Sequence, residues 1–128
     1  MDTIAIKYAL TFDYTFMKPM KAEKLIVMYP LSTYPAAFER RYNDGHVPMT
    51  VEIQVRKTLY VASKIRSGIG QTLAQFHRIA EVYFPSLSEL EDCLNSPGGQ
   101  EAAKHAVRIS SGGAPLFLIS EAETLVFN

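Results

Sequence analysis

Tryptophan is absent from the 128 residues, and cysteine occurs once. The lone Cys93 can close no internal disulfide and offers no thiolate pair for zinc, so a disulfide scaffold and a cysteine-built metal centre are both excluded, and a reducing cytoplasm suits the chain. Charge of one sign is also lacking. Thirteen basic and thirteen acidic side chains cancel, and no basic block of five or more occurs, so binding to a phosphate backbone by counterion release has no support and no nucleic-acid partner is expected. There is no apolar run of eighteen residues for a membrane span. The first twenty residues carry Lys7 and Asp13 without a small-residue cleavage pattern, so secretion is not expected. The histidines His46, His77 and His105 form no HxxxH, HExxH or CxxC-type spacing, so no metal site is expected. Neither Gly98-Gly99 nor Gly112-Gly113 has the glycine-lysine pattern of a phosphate loop; both read as helix stops.

What is present is the composition of a folded domain, 48% hydrophobic and 20% charged, in a chain of single-domain length. Residues 3–16 alternate, with Ile4, Ile6, Tyr8, Leu10, Phe12, Tyr14 and Phe16 on one face, which is a strand period. Pro19 interrupts this run. Residues 1–20 are therefore an N-terminal extension, either an extra edge strand or an arm outside the core, and 21–128 form the domain. Leu25 to Tyr29 is continuously apolar and suits a central strand. Ser32 or Thr33 then offers an N-cap and Pro35 a first turn for a helix through Phe38 and Tyr42. Gly45 and Pro48 are expected to break that helix, Pro48 by pushing Val47 out of the α region, before a short continuation from Met49.

Residues 57–66 and 73–84 read as a hairpin of strands. Ser86 or Ser88 caps a helix carrying Leu87, Leu90 and Leu94, which stops at Ser96-Pro97-Gly98-Gly99. A further helix covers 100–109, and a last strand opens at Pro115. The order is strand, helix, two strands, helical segment, strand: a ferredoxin-like βαββαβ α+β fold with a four-stranded antiparallel sheet. Its strands are apolar on both faces while the helices cover one. Cover of the other by a second copy makes a homodimer the expected assembly.

Val27-Met28-Tyr29-Pro30, Phe38 with Tyr42, His46-Val47-Pro48-Met49, Phe76-His77-Arg78-Ile79-Ala80-Glu81, and Ser96-Pro97-Gly98-Gly99-Gln100 form an ordered set that resembles the EthD family, named for ethyl tert-butyl ether degradation. The resemblance runs from about Ala22 to Phe127. It implies a dimeric α+β barrel with a small-molecule cavity between sheet and helices, in which Tyr29, Phe38, Val47 and Phe76 would contact substrate. Relatives with this barrel include cofactor-independent oxygenases and isomerases, so the family does not fix a reaction. The missing tryptophan counts against relatives that degrade haem with an indole in the pocket.

His46 is the candidate proton carrier, because imidazole titrates near neutrality and needs no cofactor; its structural alternative is to bond free carbonyls at a helix end. Tyr42, four residues earlier, shares its face if helical geometry persists, and offers a phenol to a substrate oxygen or only to the core edge. His77 and Arg78 adjoin on a strand and are expected to point to opposite faces, with Arg78 in an interface ion pair. His105, near Lys104 and Arg108, is expected on a solvated face. Two functions follow: a cofactor-independent isomerase, oxygenase or lyase acting on a hydrophobic aromatic or ketonic substrate through His46 and Tyr42, or a non-catalytic dimer that binds such a molecule.

Overall fold

A computed structural model describes residues 20–53, 56–70 and 74–127. The expected N-terminal strand over 3–16 lies outside them. Strand β1 (Met20–Pro30) leads into helix α1 (Pro35–Arg40), a π-helical turn (Arg41–His46) and helix α2 (Val47–Ile53). Strands β2 (Leu59–Lys64) and β3 (Phe76–Phe84) follow, then α3 (Leu87–Asn95), α4 (Pro97–Ile109) and β4 (Leu116–Thr124). The sheet order is β2-β3-β1-β4, with every neighbouring pair antiparallel. This is the ferredoxin-like arrangement.

The apolar run at the centre of β1 pairs on both sides, with Val27 opposite Ala80 of β3 and Phe117 of β4. Leu25, Val27 and Tyr29 point under the helices, where they join Val82, Phe84, Phe38 and Leu90 in the core. On the other face Ile26 and Met28 stand beside Leu118 and Leu116, and Lys24 bonds Glu81 at 2.7 Å. The helices leave that face uncovered. In β4 the four consecutive residues Leu116, Phe117, Leu118 and Ile119 are 48, 41, 46 and 52% exposed, although each is large and apolar.

The expected break between α1 and α2 does not occur. Val47 remains helical at φ −62° and ψ −50°, and its N–H donates to the Tyr42 carbonyl five residues back. Pro48 cannot donate, and Gly45 weakens the α register. One wide π turn absorbs both defects without ending the helix. Nor is α1 capped by Ser32 or Thr33. Its N-cap is Tyr34, with no side-chain bond, while Ser32 Oγ accepts from the Tyr34 N–H before the helix starts and pairs with Ser111 Oγ across the loops.

The start of α3 does follow the expected chemistry, with Ser86 Oγ accepting from the Glu89 N–H at 3.2 Å. Ser96 caps α4 in the same way through the Gly99 N–H at 3.0 Å. Gly98 and Gly99 therefore lie inside the first turn of α4 and are not helix stops. Their role is close approach: a Cβ at Gly98 would sit 2.2 Å from the Ile53 carbonyl oxygen, and one at Gly99 1.9 Å from that of Cys93. The two glycines let α4 settle against the end of α2 and the last turn of α3.

Candidate functional site

The π turn aims His46 into the domain, where it is 4% exposed. Its Nε2 lies 3.2 Å from the Tyr29 hydroxyl, and its Nδ1 lies 2.8 Å from His105 Nδ1. The two imidazoles are stacked, with centroids 5.1 Å apart and planes 4° from parallel. Gly45 lies beside this pair, where a Cβ would stand in ordinary contact with the His105 ring at 3.9 Å. Three side chains from β1, the π turn and α4 thus form one chain of hydrogen-bonding groups. Tyr29 is fully buried, while His105 is only partly covered and reaches toward solvent.

Burial sets the electrostatics. It pushes the His46 pKa down to about 4, with the neighbouring His105 adding to the effect. His105 is lowered as well, by burial first and by Arg108 second, against an opposing pull from Glu101. Burial raises Tyr29 well above the ordinary phenol range, with the Tyr60 phenol adding to it. All three groups are therefore neutral at pH 7, and their protons have two consistent arrangements. In one, Tyr29 O–H donates to His46 Nε2 and His46 Nδ1–H donates to His105. In the other, His105 Nδ1–H donates to His46, His46 Nε2–H donates to the Tyr29 oxygen, and the phenol proton is free to point elsewhere.

Tyr29 and His46 line the closed end of a cleft between the sheet and α4, together with Thr50 and Tyr60. The inner chamber has a volume of about 30 Å³. It exists because the sheet-facing stripe of α4 is Gly99, Ala102 and Ala106, where larger side chains would fill the space. Leu25, Leu94, Gly99, Ala103 and Phe117 also line an adjacent outer chamber of about 300 Å³, walled further by Ile119.

Tyr42 stands behind His46, with rings 5.8 Å apart and 27° from parallel. Phe38 stacks on its other side at 5.8 Å. The Tyr42 hydroxyl is buried and, among the described residues, meets no partner within hydrogen-bonding geometry; burial, and then the nearby Tyr60 phenol, raise its pKa. Neither Tyr42 nor Phe38 is among the cleft walls. Val47 packs against the core, and Phe76 lines a separate depression with Ile65 and Ile79. The structure therefore gathers Tyr29, Tyr42, His46 and Phe38 around one point and leaves Phe76 apart.

His105 belongs to this group and not to a solvated face. Its sequence signal is slight: it adjoins Ala106 and follows Ala102 by three, which places it beside the buried stripe of α4. Arg78 also departs from expectation. The pairing of β1 with β3 shifts between Tyr29/Arg78 and Pro30/Phe76, so β3 carries an extra residue there. This bulge lets His77 and Arg78 reach one carboxylate, Glu39 of α1. His77 Nε2 is 3.0 Å from Glu39 Oε1, and Arg78 Nη2 is 2.9 Å from Oε2. The ion pair is internal to the chain, and it holds the Arg78 guanidinium 4.9 Å from the centre of the Tyr42 ring. Among the described residues, no cluster of three or more His, Cys, Asp or Glu side chains is arranged to hold a metal ion. No helix among them is long and apolar enough to cross a membrane.

A family model described as the EthD domain matches residues 31–110. The chain belongs to the EthD family. The matched region contains the π turn, the Glu39 bulge cluster and both histidines of the stacked pair. An uncharacterized 11.0 kDa protein from the thcB-thcC intergenic region of Rhodococcus erythropolis is 31% identical over 103 residues, covering 80% of this chain and 97% of its own. The crystal structure of an EthD family protein from Bacillus halodurans superposes with a TM-score of 0.71 at 23% identity, covering 79% of this chain and 98% of that one. An EthD-like protein from Ralstonia eutropha gives a TM-score of 0.62 at 20% identity, with 79% and 91% covered. More distant neighbours of the same fold include two proteins described as dimeric, from Bacteroides fragilis and Jannaschia, and SnoaB of Streptomyces nogalater, described as a cofactor-independent oxygenase.

Proposed function

We propose that this EthD-family chain is a small-molecule enzyme that moves a proton, without a cofactor, on a hydrophobic aromatic or ketonic substrate. Such chemistry suits an isomerase or oxygenase step of catabolism or secondary metabolism. The observation that carries this reading is the Tyr29, His46, His105 chain, which starts at the closed end of an apolar cleft and ends near solvent. His46 is a neutral acceptor at pH 7. Both of its nitrogens are engaged, so the atom that meets a ligand is the Tyr29 oxygen. A proton taken up at that oxygen lets the phenol proton pass to His46 Nε2, and the Nδ1 proton then passes to His105; the reverse sequence delivers a proton to the ligand. Tyr42, stacked on His46 and braced by Arg78, positions the ring.

The protein is proposed to work as a homodimer, because the open sheet face, with Leu116 and Leu118 of β4 exposed beside Met28 and Ile26, resembles an interface more than a solvated surface. The dimeric ferredoxin-like neighbours support the same assembly.

Hydrogen exchange at the methyl group of 4-hexylacetophenone, followed by NMR in deuterated buffer, tests the proton-transfer reading. The wild type should accelerate exchange above buffer, and folded His46→Gln and Tyr29→Phe variants should return it to background. A non-catalytic binding protein is the second reading, favoured by the engagement of both His46 nitrogens within the protein. Saturable binding of the ketone with no accelerated exchange would decide for it.

A further inference from the structure

The two chambers of the cleft differ in what they accept, and that difference limits the ligand. The inner chamber, about 30 Å³, holds little more than one oxygen function, since a single water already needs roughly 10–15 Å³ of such volume. Its polar lining is hydroxyl and imidazole only, from Tyr29, Tyr60, Thr50 and His46. The outer chamber, about 300 Å³, lies at the lower end of small-molecule sites, which run roughly 300–1,000 Å³. Gln100 is its one polar side chain among the described residues. Among the described residues, arginine, lysine, aspartate and glutamate are absent from the lining of either chamber. Arg78, which approaches the Tyr42 ring behind His46, is already held by Glu39.

We propose that the cleft takes an uncharged, single-headed ligand: one ketone, phenol or similar oxygen in the inner chamber, and an apolar ring or short chain in the outer one, with Ala103 limiting its girth. This rests on the reading of the cleft as a small-molecule site. An anionic head would lose its water against Leu25, Val27, Val82 and Ala106 with no cation among the described lining residues to replace it, a cost that carboxylates avoid by staying in solvent. Ala103 lines both chambers, at the point where head and tail of such a ligand would meet.

The test is displacement of the fluorescent dye N-phenyl-1-naphthylamine from the full-length protein at pH 7.5 by three matched probes: 4-hexylacetophenone, methyl 4-hexylbenzoate and 4-hexylbenzoate. The two neutral probes should compete and the carboxylate should be roughly tenfold weaker or worse. Ala103→Phe should weaken both neutral probes. A carboxylate that binds as tightly as its ester overturns the inference, and that comparison uses the wild type alone. Neutral binding that Ala103→Phe leaves unchanged, in a variant with the wild-type circular dichroism spectrum, removes the part assigned to Ala103. If no probe displaces the dye or alters the protein's histidine NMR signals, the reading of the cleft as a ligand site falls as well, an outcome distinct from equal binding of ester and acid.

Discussion

Acid should destabilise this protein through His46 as soon as the pH falls below neutrality. The ordinary pKa is 6.5 and the native one about 4. Between these values the unfolded chain binds a proton that the native chain refuses, so stability falls as pH drops from neutrality toward 4. Integrated from pH 7 to pH 5, this linkage amounts to about 2 kcal/mol from His46 alone. With a urea dependence of about 2 kcal/mol per molar for a domain of this size, the unfolding midpoint should move down by about 1 M. His105, lowered in the same direction, adds to the slope. Glu39 does not interfere in this window. Its carboxyl is held below the ordinary 4.5, with the bonds from Arg78 and His77 outweighing burial, and its contribution is lost only as pH falls below that value. His46→Gln keeps a hydrogen-bonding side chain but cannot titrate, so urea curves of the variant should be much flatter between pH 7 and 5. An unchanged slope in the variant, or an imidazole signal of His46 that titrates near 6.5, would refute the buried neutral assignment.

Glu39→Gln leaves Arg78 partly buried without its counter-charge and should cost about 1–3 kcal/mol, below the cost of a fully buried pair because both side chains keep some solvent contact; urea unfolding at pH 7 measures it, and a change under 0.5 kcal/mol would contradict the bracing role. Gly99→Ala places a methyl against the Cys93 carbonyl, where a Cβ has only 1.9 Å, and should lower stability by about 2 kcal/mol or more, seen as a fall of several degrees in melting temperature. Leu118→Arg, on the open face beside Ile26, should convert a two-chain mass to a one-chain mass in light scattering while preserving the far-UV spectrum; a single-chain mass for the wild type would remove the dimer proposal.

The fold was legible because its signals are local. The apolar run Leu25 to Tyr29, the serine cap of α3 and the hairpin pattern of 57–66 and 73–84 each state their own element, and their order restricts the topology. What could not be read depends on defects that compensate. Gly45 and Pro48 each argue for a helix end. Together they produce one π turn, since the turn needs no donor from Pro48 and Gly45 tolerates the change in register. The His77–Arg78 pair was misplaced for a related reason. Strict alternation puts neighbours on opposite faces, but one bulge residue cancels the rule locally, and its cause, a shared carboxylate on α1, lies 38 residues away from His77.

His105 shows the limit most clearly. On α4 alone, flanked by Lys104 and Arg108, it belongs to a solvated face. Only when Gly45 passes close to its ring and His46 turns inward does it become the outer member of a stacked pair. The position has a chemical consequence that a single buried histidine lacks. An isolated imidazole with its pKa pushed to about 4 accepts a proton poorly, because the resulting cation is as badly solvated as any buried charge. An imidazole that passes its second proton on as it receives the first never carries that charge. In the proposed function the stacked pair would let a largely apolar cleft handle protons at neutral pH, and the π turn that looked like the end of a helix is what brings its two halves together.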